Sequence, residues 1–189
     1  MTLDGYGEFP KYPGWDYVPK DADEFWNELW ASQYDLVDTV IFGRSSYEGH
    51  AKVHALAKRK PEDPYYMFDY SRFLEKSKKI VITHRKLELD WANSRIMAGD
   101  LAEIVKELKQ EPGKNIILEG GPSLVHEFML RGLIDEYRIL LMPVILGKGP
   151  FYWGTMANQQ TLRLVSVKAM KYGELVLRYE SVHDYDSSK

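Results

Sequence analysis

The sequence predicts an α/β domain built on a mostly parallel sheet. Three observations carry that expectation. Short apolar, β-branched runs at residues 39–43, 79–83 and 115–119 have the character of strands buried on both faces, as parallel sheets require. Segments with helical spacing lie between them, so strands and helices alternate along the chain. Near the end, residues 161–168 and 174–180 alternate at period two around Gly173, which predicts an antiparallel hairpin at the edge of the sheet.

The elements follow in order. Glycines and prolines crowd residues 5–19, which reads as irregular chain. A helix begins near Asp21, a plausible N-cap with Glu24 three residues on, and Phe25, Trp26, Leu29 and Trp30 share one face. After the 39–43 strand, residues 45–60 read as helical until Pro61 and Pro64 break them, and residues 69–76 read as a second short helix. Asp100 caps the clearest helix, 100–110, with Glu103 at the box position and Leu101, Ile104, Val105 and Leu108 in one stripe. Gly120-Gly121 separates the 115–119 strand from a helix opening at Pro122 and ending near Arg131, with Gly132 just past it. Residues 136–141 read as a fourth strand. One domain spans residues 1–180, and 181–189 form a polar tail.

Composition narrows the function. A chain of 189 residues, 44% hydrophobic and 28% charged, is an ordinary globular domain. The absence of cysteine excludes disulfides, thiolate nucleophiles, cysteine-bound zinc and iron–sulfur clusters. A net charge of −3 argues against a nucleic-acid partner. The longest apolar run, 139–146, is interrupted by Pro143 and falls far short of the roughly 20 residues of a membrane helix. With no signal pattern at the start, the expectation is a cytoplasmic protein with no membrane partner.

Ligands of open α/β sheets bind beyond the carboxyl ends of the strands, and three strand ends here carry anion-friendly residues. Gly43-Arg44-Ser45-Ser46 offers backbone N–H groups, two hydroxyls and a guanidinium to phosphate oxygens. Glu119-Gly120-Gly121-Pro122-Ser123 brings paired glycines to a helix start. Thr83-His84-Arg85 suits a phosphate monoester such as the 2′-phosphate of NADP. Each also has a plain reading, as a capped turn, a tight turn or a solvated loop. Together they make a dinucleotide site more credible than any one alone.

Other signatures fail. There is no Gly-x-Gly-x-x-Gly fingerprint and no Walker loop. His50 and His54 stand at zinc-protease spacing, but Ala51 replaces the required glutamate, so no metal is expected. Lys58-Arg59-Lys60, followed by Glu62 and Asp63, reads as a solvated face. Ser123 is not in a nucleophile elbow.

Five segments resemble a known family: Thr2-Leu3-Asp4-Gly5-Tyr6, residues 40–48, residues 116–124, residues 132–137 and residues 143–149. In order and spacing they are similar to the C-terminal reductase domain of the riboflavin-biosynthesis deaminase-reductase, which has the dihydrofolate-reductase-like fold. The resemblance covers roughly residues 2–180. It implies an NADPH-dependent reductase, a homodimer, that passes hydride to a small heterocyclic or carbonyl/imine compound. It also implies that Gly43, Arg44, Ser45 and Ser46 meet the cofactor phosphates from one side and Gly120, Gly121 and Ser123 from the other. Thr83, His84 and Arg85 would meet the 2′-phosphate. Asp4 falls where the family places a substrate-contacting aspartate, and it could donate the proton if burial raises its pKa. A pteridine or dihydrofolate-type reductase and a non-catalytic NADP-binding module are the alternatives.

The chain departs from the family pattern in four ways. The family's opening strand precedes the Leu-Asp-Gly motif, whereas this chain starts almost on it. Tyr6 stands where the riboflavin enzymes tend to have a basic residue. The zinc deaminase domain is absent. Residues 50–73 read as an insertion whose Tyr65, Tyr66, Phe68 and Tyr70 either form a lid over the cleft or add packing, the latter being the commoner fate of an aromatic cluster.

Overall fold

The computed structural model describes residues 1–7, 22–149, 151–156, 159–171 and 173–182. The chain divides into two compact units, residues 19–125 and residues 1–18 with 126–189.

The unit of residues 19–125 is organised by four parallel strands: β1 (Val37–Gly43), β2 (Lys78–Ile82), β3 (Ser94–Met97) and β4 (Asn115–Leu118), in the order β3-β2-β1-β4. Parallel neighbours need crossovers. Here α2 (Arg44–His54) and α3 (Tyr65–Lys76) link β1 to β2, and α4 (Leu101–Gln110) links β3 to β4. Helix α1 (Ala22–Leu29) precedes them and packs on α3. One core cluster joins Val37, Val40 and Phe42 of β1 to Tyr47 of α2, Phe73 and Leu74 of α3, Val81 and Trp91. The α4 stripe of Leu101, Ile104, Val105 and Leu108 is buried as its spacing predicts, and the Asp100 side chain accepts from Ala102 N at 2.9 Å and Glu103 N at 3.3 Å. The expected Asp21 cap lies outside the described residues.

Several local expectations change. Strand β3 is not foreseen by the sequence. Ser-Arg-Ile-Met is an edge strand with Arg95 and Ile96 exposed, so it has neither an apolar run nor clean alternation. Helix α3 starts four residues earlier than expected, directly after Pro64. Of the aromatic residues at 65–70, Tyr70 packs, stacking on Phe73 and Tyr34 and meeting the His54 ring edge-on, whereas Tyr65 is exposed. Arg59 is not part of a solvated face. Its side chain is 5% exposed, pairs with Asp63 at 3.3 Å and donates to Val53 O. Lys79 is fully buried. Its ammonium donates to Leu74 O at 2.6 Å and Ser77 O at 2.9 Å and lies 4.8 Å from the Trp91 ring. Desolvation pulls its pKa down to about 8.

The other unit holds a three-stranded antiparallel sheet, β5 (Glu136–Leu141), β7 (Leu175–Ser181) and β6 (Leu162–Ala169), in the order β5-β7-β6. The expected hairpin exists, but it pairs with β5 rather than forming an edge on the parallel strands. The first residues lie parallel alongside the end of β5: the Met1 amine donates to Leu140 O at 2.6 Å, Met142 N to Met1 O at 2.8 Å and Leu3 N to Val144 O at 2.8 Å. Helix α5 (Pro122–Leu130) follows β4 in sequence. Among the described residues no helix is long and apolar enough to cross a membrane.

Candidate functional site

Strands β2, β1 and β4 are parallel neighbours, so their carboxyl ends share one edge of the sheet. Gly43 is in register with Ile82, and Glu119 N donates to Ile41 O at 2.8 Å. The predicted cofactor residues of the three strand ends therefore leave the sheet side by side.

At the end of β1, Gly43 is the N-cap of α2, and no side chain caps that helix. The first-turn N–H groups of a helix have no intrahelical partner, so those of Arg44, Ser45 and Ser46 are available to an anion. Arg44 Nε is committed to Glu48 Oε1 at 3.1 Å. Ser45 is exposed and Ser46 half-buried. His50 Nδ1 lies 2.8 Å from Ser46 O. Because a carbonyl only accepts, that nitrogen carries the proton.

At the end of β4, Gly121 O accepts from Leu124 N at 3.0 Å and Val125 N at 3.2 Å, which starts α5. The glycines differ in purpose. A Cβ on Gly120 would stand 3.1 Å from Leu124, so close packing requires that glycine. A Cβ on Gly121 would meet only the Ser46 hydroxyl, at 3.8 Å. Gly121 thus keeps space open between the starts of α2 and α5, and Ser123 is exposed at the second. At the end of β2, Thr83 is buried and its Oγ1 accepts from Arg85 N at 3.1 Å, which fixes the turn that carries the exposed His84 and Arg85.

Glu119 is the residue the sequence reading missed as a chemical group. It sits between Leu118 and the glycine pair. Its Oε1 is sealed from solvent and finds no hydrogen-bond partner. Desolvation pushes its pKa up to about 8, so the carboxyl holds its proton at neutral pH. Tyr34 and Tyr70 are its neighbours in charge. Burial raises both hydroxyls, and the Glu119 charge adds to the rise. A glutamate ending an apolar strand was visible in the sequence. Its burial was not, because desolvation comes from the assembled fold and not from the local run.

Asp4 lies in the other unit and does the opposite. Its carboxylate accepts from Leu146 N at 3.1 and 3.0 Å and from Gly147 N at 2.6 Å. Partial desolvation would raise its pKa, but these amide bonds outweigh it and hold the group below the usual carboxylate range. The raised pKa expected of a proton donor is therefore absent, and Asp4 fastens the 146–147 turn.

The chain matches the RibD C-terminal domain family over residues 1–177. It is 30% identical over 180 residues to the uncharacterised protein YyaP of Bacillus subtilis, an alignment covering 95% of this chain and 90% of that one. In structure it is similar to a putative riboflavin biosynthesis protein from Shewanella sp. PV-4, with a TM-score of 0.70 at 18% identity over 96% of this chain and 95% of that one. It is also similar to Enterococcus faecalis dihydrofolate reductase, a structure containing NADP(H), with a TM-score of 0.55 at 14% identity over 84% and 82% of the two chains. These likenesses establish the dihydrofolate-reductase-like fold.

Proposed function

The chain belongs to the RibD C-terminal domain family, and on that premise we propose that it is an NADPH-dependent reductase in which Glu119 holds the proton that accompanies hydride transfer. The observation that carries the reading is a carboxyl oxygen, Glu119 Oε1, sealed from solvent without a hydrogen-bond partner, on a residue whose pKa burial raises and which leads into the Gly121 gap between two helix starts.

The residues present fit the cofactor. The α2 first turn, Ser45, Ser46, Gly120, Gly121 and Ser123 would hold its diphosphate, with Gly43 and Arg44 at the margin. His84 and Arg85, set by Thr83, would meet the 2′-phosphate. When bound, NADPH supplies the hydride. The protein's own task is to orient a C=N or C=O group and to give its heteroatom a proton. A glutamic acid whose pKa lies near the working pH suits that role, and the Glu119 carboxyl meets the condition that Asp4 fails. Reduction then leaves Glu119 ionised, to be reprotonated from solvent.

The test is oxidation of NADPH by the purified protein with pyrimidine, pteridine and small imine or carbonyl compounds, repeated with Glu119→Gln. The expected result is turnover with at least one class, abolished in the variant at unchanged NADPH affinity. Binding without turnover across all classes would favour a non-catalytic NADP-binding module, and turnover confined to pteridines a folate-type reductase.

A further inference from the structure

Residues 83–93 join β2 to β3 and carry His84 and Arg85, both exposed. Thr83 and Trp91 are the two buried residues of this loop. We infer that Tyr47 and Trp91 are positioning residues for NADPH. The bond between them sets the loop that would meet the 2′-phosphate against the helix start that would meet the diphosphate, and so supports a preference for NADPH over NADH. The inference deepens the reductase reading and rests on its placement of those two phosphate groups.

An exposed loop has many conformations, and ordering one during binding costs affinity. This loop is held beforehand. Lys86, Glu88 and Asp90 face solvent, whereas Leu87 and Leu89 pack against the core cluster to which Trp91 and Tyr47 belong. The alternation gives residues 86–91 one face on the core, as in a strand. Trp91 ends that strip, and three elements grip it. Its backbone N–H donates to the Tyr47 hydroxyl of α2 at 3.2 Å, and its indole N–H donates to Glu75 Oε2 of α3 at 3.0 Å. The Lys79 ammonium of β2 lies 4.8 Å from its ring. Just beyond, the Asn93 side chain donates to Glu75 O at 3.1 Å, and Asn93 O accepts from Lys79 N at 2.8 Å. At the loop's start, Thr83 Oγ1 accepts from Arg85 N at 3.1 Å.

The Tyr47 bond is the one that reaches the cofactor. Tyr47 is fully buried and directly follows Ser46 in the first turn of α2. The loop is therefore tied to the same helical turn whose N–H groups would take the diphosphate. A cofactor with both anionic groups gains when their two sites are spaced in advance. NADH lacks the 2′-phosphate and is indifferent to that spacing.

Titration of the natural protein and Tyr47→Phe with NADPH and NADH, followed by energy transfer to the reduced nicotinamide, tests this. The variant loses the hydroxyl and keeps the ring. NADPH should weaken about fivefold, the worth of one ordinary hydrogen bond, and NADH should change little. In an Arg85→Ala background, Tyr47→Phe should cost NADPH nothing further, because both changes act through one contact. Trp91→Phe, which loses the bond to Glu75, should shift the preference in the same direction and serves if Tyr47→Phe fails to fold. Without cofactor, trypsin should cut after Arg85 and Lys86 faster in each variant than in the natural protein. An unchanged preference, equal losses for both cofactors, full additivity with Arg85→Ala or unchanged cleavage would each overturn the inference and leave the reductase reading standing. A natural protein that binds neither dinucleotide overturns that reading and the inference together.

Discussion

Gly121 and Ser46 face one another across the ends of β4 and β1: a methyl group added at Gly121 would touch only the Ser46 hydroxyl, at 3.8 Å. The gap between them is the space in which two helix starts, that of α2 without a side-chain cap, could share an anion.

Filling that gap should cost binding without costing the fold. Gly121→Val keeps backbone geometry open to any residue and should weaken NADPH by about tenfold or more, in line with a lost charge-assisted contact. Gly120→Ala should instead lower stability by about 1 kcal/mol, because its Cβ would crowd Leu124 at 3.1 Å. Fluorescence titration and thermal melts of both variants check the contrast.

Arg85→Ala should weaken NADPH by roughly tenfold to a hundredfold while leaving NADH nearly unchanged, since only NADPH carries a 2′-phosphate. Equal losses for both cofactors would contradict the placement of that phosphate.

Glu119 makes stability fall with rising pH. Its folded pKa, about 8, exceeds the ordinary value of 4.5, so the stability it contributes is complete below the ordinary value and is lost as pH rises through the folded one. Glu119→Gln should remove that slope and be more stable than the natural chain at pH 9 by roughly 2–4 kcal/mol. Melting temperatures across pH 5–9 would show it. Under the proposed mechanism, single-turnover reduction should also decline as pH passes about 8.

Asp4 has the reverse sign. Its lowered pKa contributes stability above the ordinary carboxylate value that is lost as pH falls through the folded one. Asp4→Asn should therefore destabilise the protein at neutral pH and flatten its acid limb, with NADPH affinity intact. Denaturant melts at pH 4 and pH 7, beside a cofactor titration, test both halves.

Much of this fold was legible in sequence because local signals and tertiary context agree. Asp100 capping α4, the apolar runs of β1, β2 and β4, and the glycine turn before α5 all sit where pattern places them, although β4 is only half-buried. The failures share a cause. Strand β3 has half its side chains in solvent and so carries no pattern. The partner of β5 is β7, some 40 residues on, which residues 136–141 do not encode by themselves. Arg59 is buried through Val53 and Asp63 in spite of its basic neighbours. The cofactor candidates could be chosen because phosphate recognition uses glycines, hydroxyls and helix starts in short runs. Glu119 could not, since its pKa is set by desolvation that only the assembled fold supplies.

The most direct test of the central claim is titration of the purified protein with NADPH and NADH, followed by quenching of its five tryptophans and energy transfer to the reduced nicotinamide. The account predicts saturable binding with a clear preference for NADPH that Gly121→Val and Arg85→Ala each reduce. A folded protein that binds neither dinucleotide would contradict it, and would mean that the fold is present without the cofactor site.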